Sequence, residues 1–262
     1  TITESLGLIG LNGTADGACV VEASGAVGVA SHEIRLLLDR ESCDFRVVDA
    51  DGGELLSSRN GGFRFAPQAD GHGHRGFFGR FGKAQDEAVF GFGGRIARPR
   101  RDGATADMFA IKAGLRSGDY GGFPVPFFLS TRGYGVFLNN PWPHVYFDLG
   151  CMRGDEWYVH APGGDCDLFV IYGPSFGQIV QRYTAITGRP PVPPRWAMGF
   201  WCSSLSFDTA QHAIEVAERL RAERWPCDVM VFDGPWRGGP DFIPHYKKYH
   251  VYKTNDIDWH EE

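Results

Sequence analysis

Cys227-Asp228-Val229-Met230-Val231-Phe232-Asp233 is the stretch that decides the fold of this chain. It carries an apolar run without the polar alternation of a half-solvated strand. Such runs belong to strands buried on both faces, as in parallel sheets covered by helices. Upstream, Trp196 to Ser203 also reads as a buried strand, and a helix fits between the two. Asp208 is placed to cap that helix with Gln211 three residues on; Ala213, Val216, Ala217 and Leu220 form its apolar stripe, and Pro226 limits its end. Strand, helix and strand make one βαβ unit, since parallel strands need a crossover of this kind. Asp233 then falls at the C-terminal end of a parallel strand, the edge at which α/β barrels and open sheets bind ligands. Gly234-Pro235-Trp236 would present an indole beside the carboxylate. A carboxylate accepts two sugar hydroxyls while an indole covers a ring face. The plainer alternative is a strand-end Asp that caps the next turn.

Before this unit the pattern is β. Ile34, Leu36 and Leu38 alternate within His32–Asp39, and Phe45, Val47 and Val48 lie within Asp44–Asp49. The hairpin signal Asp51-Gly52 and then Leu55-Leu56 follow. Further expected strands are Ala88–Phe92, Met108–Ile111, Phe127–Ser130, Gly135–Leu138, Val145–Leu149, Trp157–His160 and Leu168–Tyr172, with Gly133 and Gly163-Gly164 turning the chain between neighbours. Many short strands at this spacing predict a β-sandwich. Ser175 to Gly188 reads as a helix with Phe176, Ile179, Val180 and Tyr183 on one face, Ser175 as N-cap and Gly188 as the stop. Arg189 and the prolines 190, 191, 193 and 194 form a stiff boundary. The expected organisation is therefore mainly β: a sandwich over 1–188, with its connecting helix, and a βαβ unit over 189–262.

Composition narrows the function classes. The 262 residues carry 26 Lys and Arg against 32 Asp and Glu, a net charge of −6 that argues against a nucleic-acid partner. No apolar run approaches the ~20 residues of a membrane helix. The chain holds 36 Gly and 16 Pro, as many turns require, and its 20 Phe and 7 Trp suit either a β-rich core or a sugar-binding protein. Cys19, Cys43, Cys151, Cys166, Cys202 and Cys227 lack the paired short spacing of zinc or redox motifs. They read as mostly buried thiols of a cytoplasmic protein.

Other motifs are weaker. Gly91-Phe92-Gly93-Gly94 lacks the full spacing and the following helix of a phosphate loop. His72-Gly73-His74 has no third metal partner at a ligating spacing, and a polar turn is the better reading. Arg95, Arg98, Arg100 and Arg101 read as a solvated loop, and Asp165 and Asp167 as surface residues. Asp256 and Asp258 share one face if extended, and Trp259 beside them would make the rim of a sugar site.

From Arg182-Tyr183-Thr184 through Asp233 the sequence resembles glycoside hydrolase family 31, the α-glucosidase and α-xylosidase family. The resemblance rests on Tyr183-Thr184-Ala185-Ile186-Thr187-Gly188-Arg189-Pro190, on Pro193-Pro194-Arg195-Trp196-Ala197-Met198-Gly199-Phe200, on Arg221-Ala222-Glu223-Arg224-Trp225-Pro226, and on the strand ending at Asp233. Val89 to Arg95 and Pro126 to Phe137 are similar to earlier segments of the family, with Gly94 where Glu is usual. Asn255 to Trp259 resembles the segment before the next barrel helix, although Pro240 to Lys253 is longer than the family pattern.

The resemblance implies a galactose-mutarotase-like β-sandwich leading into a (β/α)8 barrel, and hydrolysis or transfer of α-linked glucosides or xylosides with retention. It implies no metal or organic cofactor. It also implies that Asp233, at the end of the second barrel strand, binds sugar hydroxyls, with Trp236 and Trp259 in the same pocket. Retaining glycosidases use two carboxyl groups about 5–5.5 Å apart. In this family they come from the fourth barrel strand and from around the sixth, so neither is expected within residues 1–262. The expected partners are an α-linked oligosaccharide or glycoside and the remaining barrel, in the same or another chain. A sandwich that binds carbohydrate by itself is the alternative.

Overall fold

The structure is a computed structural model, and it describes residues 19–23, 25–42, 44–67, 75–95, 98–109, 121–204 and 210–232. The chain divides into two compact units, Thr1–Arg189 and Pro190–Glu262.

In the first unit the strands are β1 (Cys19–Ala23), β2 (Ala26–Ala30), β3 (Ile34–Asp39), β4 (Phe45–Asp49), β5 (Glu54–Pro67), β6 (Arg75–Gly82), β7 (Val89–Arg95), β8 (Thr105–Asp107), β9 (Gly121–Ser130), β10 (Tyr134–Leu138), β11 (Tyr146–Asp148), β12 (Glu156–Ala161) and β13 (Leu168–Tyr172). Among the described residues they form a larger sheet in the order β1-β2-β3-β4-β5-β6-β12-β11-β8 and a smaller one in the order β13-β10-β9-β7. Neighbours in both are antiparallel. Period-two alternation sends Trp157, Val159 and Ala161 of β12 inward. Phe77, Phe81 and Phe147 join them from the larger sheet, and Val89, Phe92, Phe128, Val136 and Leu138 face them from the smaller one. Phe81 stacks on Trp157 at 4.0 Å between centroids, and Phe128 meets the same indole edge-on at 5.0 Å. Burying each such side chain contributes ~1.5–3 kcal/mol over leaving it in water. Much of the aromatic content thus goes into the core.

A helix, α1 (Phe176–Thr187), packs on the outer face of the smaller sheet. Ser175 caps it, its Oγ accepting from the Gln178 amide, and Gly188 closes it at φ 97° with its N–H donating to the Thr184 carbonyl. Ile179, Tyr183 and Ile186 face the sheet, and Tyr183 stacks flat on Phe127 at 3.9 Å. This stripe is rotated from the expected one: Phe176 and Val180 are exposed. Gly135 of β10 permits the close approach, because a Cβ there would lie 2.7 Å from Ile179. Arg182 ties the helix to both sheets, with Nη2 2.7 Å from Glu33 before β3 and Nη1 donating to the Tyr172 carbonyl of β13.

Several expectations need correction. The strand expected at Met108–Ile111 lies at Thr105–Asp107, where Ala106 alone enters the core between two polar residues. Arg101 is not solvated; it is 4% exposed and donates to the Thr105 carbonyl, while Arg100 pairs outside with Asp102. None of the five described cysteines is fully buried: Cys19 and Cys151 are exposed, and Cys166, Cys202 and Cys227 are half-buried. Gly91-Phe92-Gly93 is a bulged part of β7, with Phe92 at φ 71° and fully buried.

In the second unit a single 3-10 turn, Arg195–Met198, precedes β14 (Trp201–Ser204), α2 (Ala210–Ala222) and β15 (Val229–Phe232). The buried strand expected over Trp196–Ser203 is therefore half turn and half strand. Pro194, at φ −63°, leads the chain into the turn. Trp196, Met198, Phe200 and Trp201 are exposed rather than buried. β15 starts two residues later than Cys227, and its described side chains are half-buried.

Candidate functional site

β14 and β15 are parallel, with Trp201 opposite Val229 and Ser204 opposite Phe232. Their C-terminal ends therefore share one edge, and α2 lies between them in the chain, as a βαβ crossover requires. Ala213 is the buried anchor of α2, and Val216, Ala217 and Leu220 are half-buried, as the stripe predicted. Arg219 and Arg221 fall in its last turn, where cations suit the helix dipole. Arg224, at φ 60°, ends the helical path, and the Trp225 N–H returns to the Leu220 carbonyl. The Asp228 amide then donates to the Phe200 carbonyl. The Asp228 carboxylate lies over Gly199, where any Cβ would collide with it. A side chain at position 199 would require that carboxylate to move aside.

Asp233 is covalently next after Phe232. Asp233, Trp236 and Trp259 all lie outside the described residues, as do His72, His74, Asp208, Asp256 and Asp258. The described geometry therefore reaches the strand end and its parallel partner. Among the described residues no group of three or more His, Cys, Asp or Glu is arranged to hold a metal ion.

The sequence reading missed a buried polar cluster in the sandwich. Glu87, 1% exposed, precedes β7. Its Oε1 accepts from the Ser130 hydroxyl and from the Tyr134 hydroxyl, both at 2.5 Å, and its Oε2 accepts from the Ala84 amide at 3.0 Å. Ser130 stands opposite both Tyr134 and Val89, so strand register assembles the trio. Burial above all, and then the neighbouring Glu87 charge, push the Tyr134 hydroxyl well above the ordinary tyrosine range. Enclosed on all sides, the cluster is a structural one. The only sequence signal for it is an acid directly before an apolar strand.

Two open grooves mark the first unit. One, of about 400 Å³, is lined by Arg98, Arg100, Arg101 and Asp102, whose charges largely engage one another or the backbone. The other, of about 370 Å³, runs between Met108, Phe109, Pro126 and Trp142.

Comparison with known proteins follows the same division. The glycosyl hydrolase 31 N-terminal galactose mutarotase-like domain matches residues 14–148, and the glycosyl hydrolases family 31 TIM-barrel domain matches residues 190–262. The α-xylosidase XylQ of Lactiplantibacillus pentosus is 30% identical over 157 residues, covering 59% of this chain and 20% of that protein. α-Glucosidase 2 of Bacillus thermoamyloliquefaciens is 28% identical over 232 residues, covering 85% of this chain and 28% of that protein. The chain thus spans between a fifth and a third of the length of these curated relatives. Among solved structures, a Flavobacterium johnsoniae family 31 dextranase complexed with isomaltotriose superimposes with a TM-score of 0.76 at 24% identity, covering 86% of this chain and 27% of that one. An α-xylosidase from a soil metagenome complexed with xylose gives 0.73 at 21% identity, covering 90% and 38%. The architecture is accordingly a β-sandwich followed by the start of a TIM barrel. With one family domain matching half of the chain and a second following it in order, the chain belongs to glycosyl hydrolase family 31.

Proposed function

We propose that this chain is the N-terminal part of a retaining α-glycosidase acting on α-linked glucosides or xylosides. Its first domain, 1–188, is scaffold; its second, 189–262, opens the catalytic barrel and supplies part of the sugar pocket. The observation that carries this reading is the parallel pairing of β14 and β15, because the C-terminal edge of such a pair is where barrels bind ligands, and Asp233 follows Phe232 in the sequence. Asp233 accepts hydroxyls of the sugar at the cleavage point, and Trp236 and Trp259 cover ring faces. The nucleophile and the acid/base come from later barrel strands, in the same or another polypeptide. The complex of a relative with isomaltotriose supports an α-linked sugar as the ligand.

A carboxylate that binds hydroxyls works by holding the ring in the geometry that reacts. A hydrogen bond to a charged acceptor is worth ~1.5–3 kcal/mol, and the part realised only in the transition state raises turnover. In a polypeptide joining residues 1–262 to a complete barrel, Asp233→Asn should lower kcat/KM by about ten- to a few hundred-fold. Wild-type kinetics for that variant would reduce Asp233 to a turn-capping residue.

A further inference from the structure

The outward face of the larger sheet carries a cluster of aromatic and hydrogen-bonding side chains. The alternation that buries Phe77, Phe81, Trp157 and Phe147 turns their neighbours away from the core. Strand register sets Phe78 of β6, His160 of β12, Tyr146 of β11 and Asp107 of β8 in one cross-strand row, with Arg80 opposite Tyr158 in the next. Three rings touch there: Phe78 to Tyr158 is 5.2 Å between centroids and Tyr146 to Tyr158 is 6.1 Å, tilted by 35° and 39°. The Arg80 guanidinium lies 5.4 Å from the centre of the Phe78 ring. His160 is exposed, and the other five are half-buried by their own packing.

We propose that this facet is a binding platform for a neutral oligosaccharide of pyranose rings. Aromatic faces take the apolar C–H faces of sugars. Around them Arg80 offers only donors, Asp107 only acceptors and His160 both, the mixture that vicinal hydroxyls need. Asp107 and Asp148, the latter opposite Tyr158, are balanced by Arg80 and by Arg64, which stands opposite Phe78 on β5. This leaves the facet near neutrality, which matches an uncharged ligand and disfavours a polyanion. Every side chain involved lies on a strand, so the platform is pre-formed and ordering it costs little on binding.

The test is calorimetric titration of the 262-residue chain with maltoheptaose and with isomaltoheptaose. At least one should bind saturably, one site per chain. Tyr146→Ala and the more exposed His160→Ala should each weaken it about two- to tenfold. Tyr146→Phe should retain most of the affinity, and Phe123→Ala, which removes an exposed ring from β9, should change nothing. No saturable binding of either sugar would overturn the proposal, as would binding indifferent to both the Tyr146→Ala and His160→Ala changes. Sedimentation on the same samples covers the competing occupant: self-association that Tyr146→Ala abolishes would make the facet an interface between copies and also overturn it.

Discussion

Tyr134→Phe is the sharpest test of how the sandwich is held together. The substitution keeps the ring, which is fully buried and packs against Phe128 at 6.4 Å, and removes only the hydroxyl that donates to Glu87 Oε1. Oε1 then keeps the Ser130 hydroxyl and Oε2 the Ala84 amide, so a buried carboxylate loses one of three donors. A hydrogen bond to a charged group is worth ~1.5–3 kcal/mol, and the group left behind has no water to turn to. For a unit of this size each kcal/mol moves the melting temperature by about 2–4 °C, which gives a fall of about 3–12 °C. Urea unfolding followed by near-UV circular dichroism, with calorimetry alongside, reads both quantities. The double variant Glu87→Gln/Tyr134→Phe should cost at least about 0.5 kcal/mol less than the two single changes added together, because they share one contact. A Tyr134→Phe effect below about 0.5 kcal/mol would refute the reasoning and make the cluster an incidental one.

Alkaline pH should destabilise the sandwich. Burial first, and then the Asp167 charge, push the Cys166 thiol from its ordinary 9.0 up to about 12. Burial, and then Asp148, push the Tyr158 hydroxyl from 10.0 up to about 12. Both are acids whose neutral form the fold favours, so their stabilisation is complete below about pH 9 and lost as pH rises toward 12. Urea midpoints should fall across that window, less steeply in Cys166→Ser; a flat profile would contradict the assignment. In the native state at pH 8.5, Cys166 should alkylate far more slowly than exposed Cys151, as peptide mapping would show. On the functional side, residues 1–262 alone should not hydrolyse aryl α-glucosides or α-xylosides above background. Turnover abolished by a point change within these residues would overturn that expectation.

Features written in local sequence were legible. Ser175 and Gly188 mark both ends of α1 because capping is a short-range property. Val229–Phe232 betrays a parallel strand through its missing alternation, and β15 does pair in parallel. What depended on a distant partner was not. β6, Arg-Gly-Phe-Phe-Gly-Arg-Phe-Gly over 75–82, is too glycine-rich to read as a strand, yet Gly79 is small because the Phe63 ring of β5 occupies the space where a Cβ would sit. Glu87 looks like a surface acid until strand register brings Ser130 and Tyr134 to it. Trp196 to Phe200 is apolar enough for a buried strand, but the proline-led turn and one described parallel neighbour leave its side chains exposed. For the candidate site, sequence and structure converge on the strand edge at Phe232, and Asp233 itself rests on the family pattern.

Fluorosugar trapping tests the central claim most directly. A polypeptide joining residues 1–262 to a complete barrel is inactivated with 5-fluoro-α-glucosyl or 5-fluoro-α-xylosyl fluoride, and the glycosylated peptide is mapped by mass spectrometry. In a retaining enzyme the label marks the nucleophile. The prediction is a label outside residues 1–262 that still forms, more slowly, when Asp233 is changed to Asn. A label on Asp233 itself, or trapping that is as fast in Asp233→Asn as in the unaltered protein, would contradict the role assigned to this carboxylate.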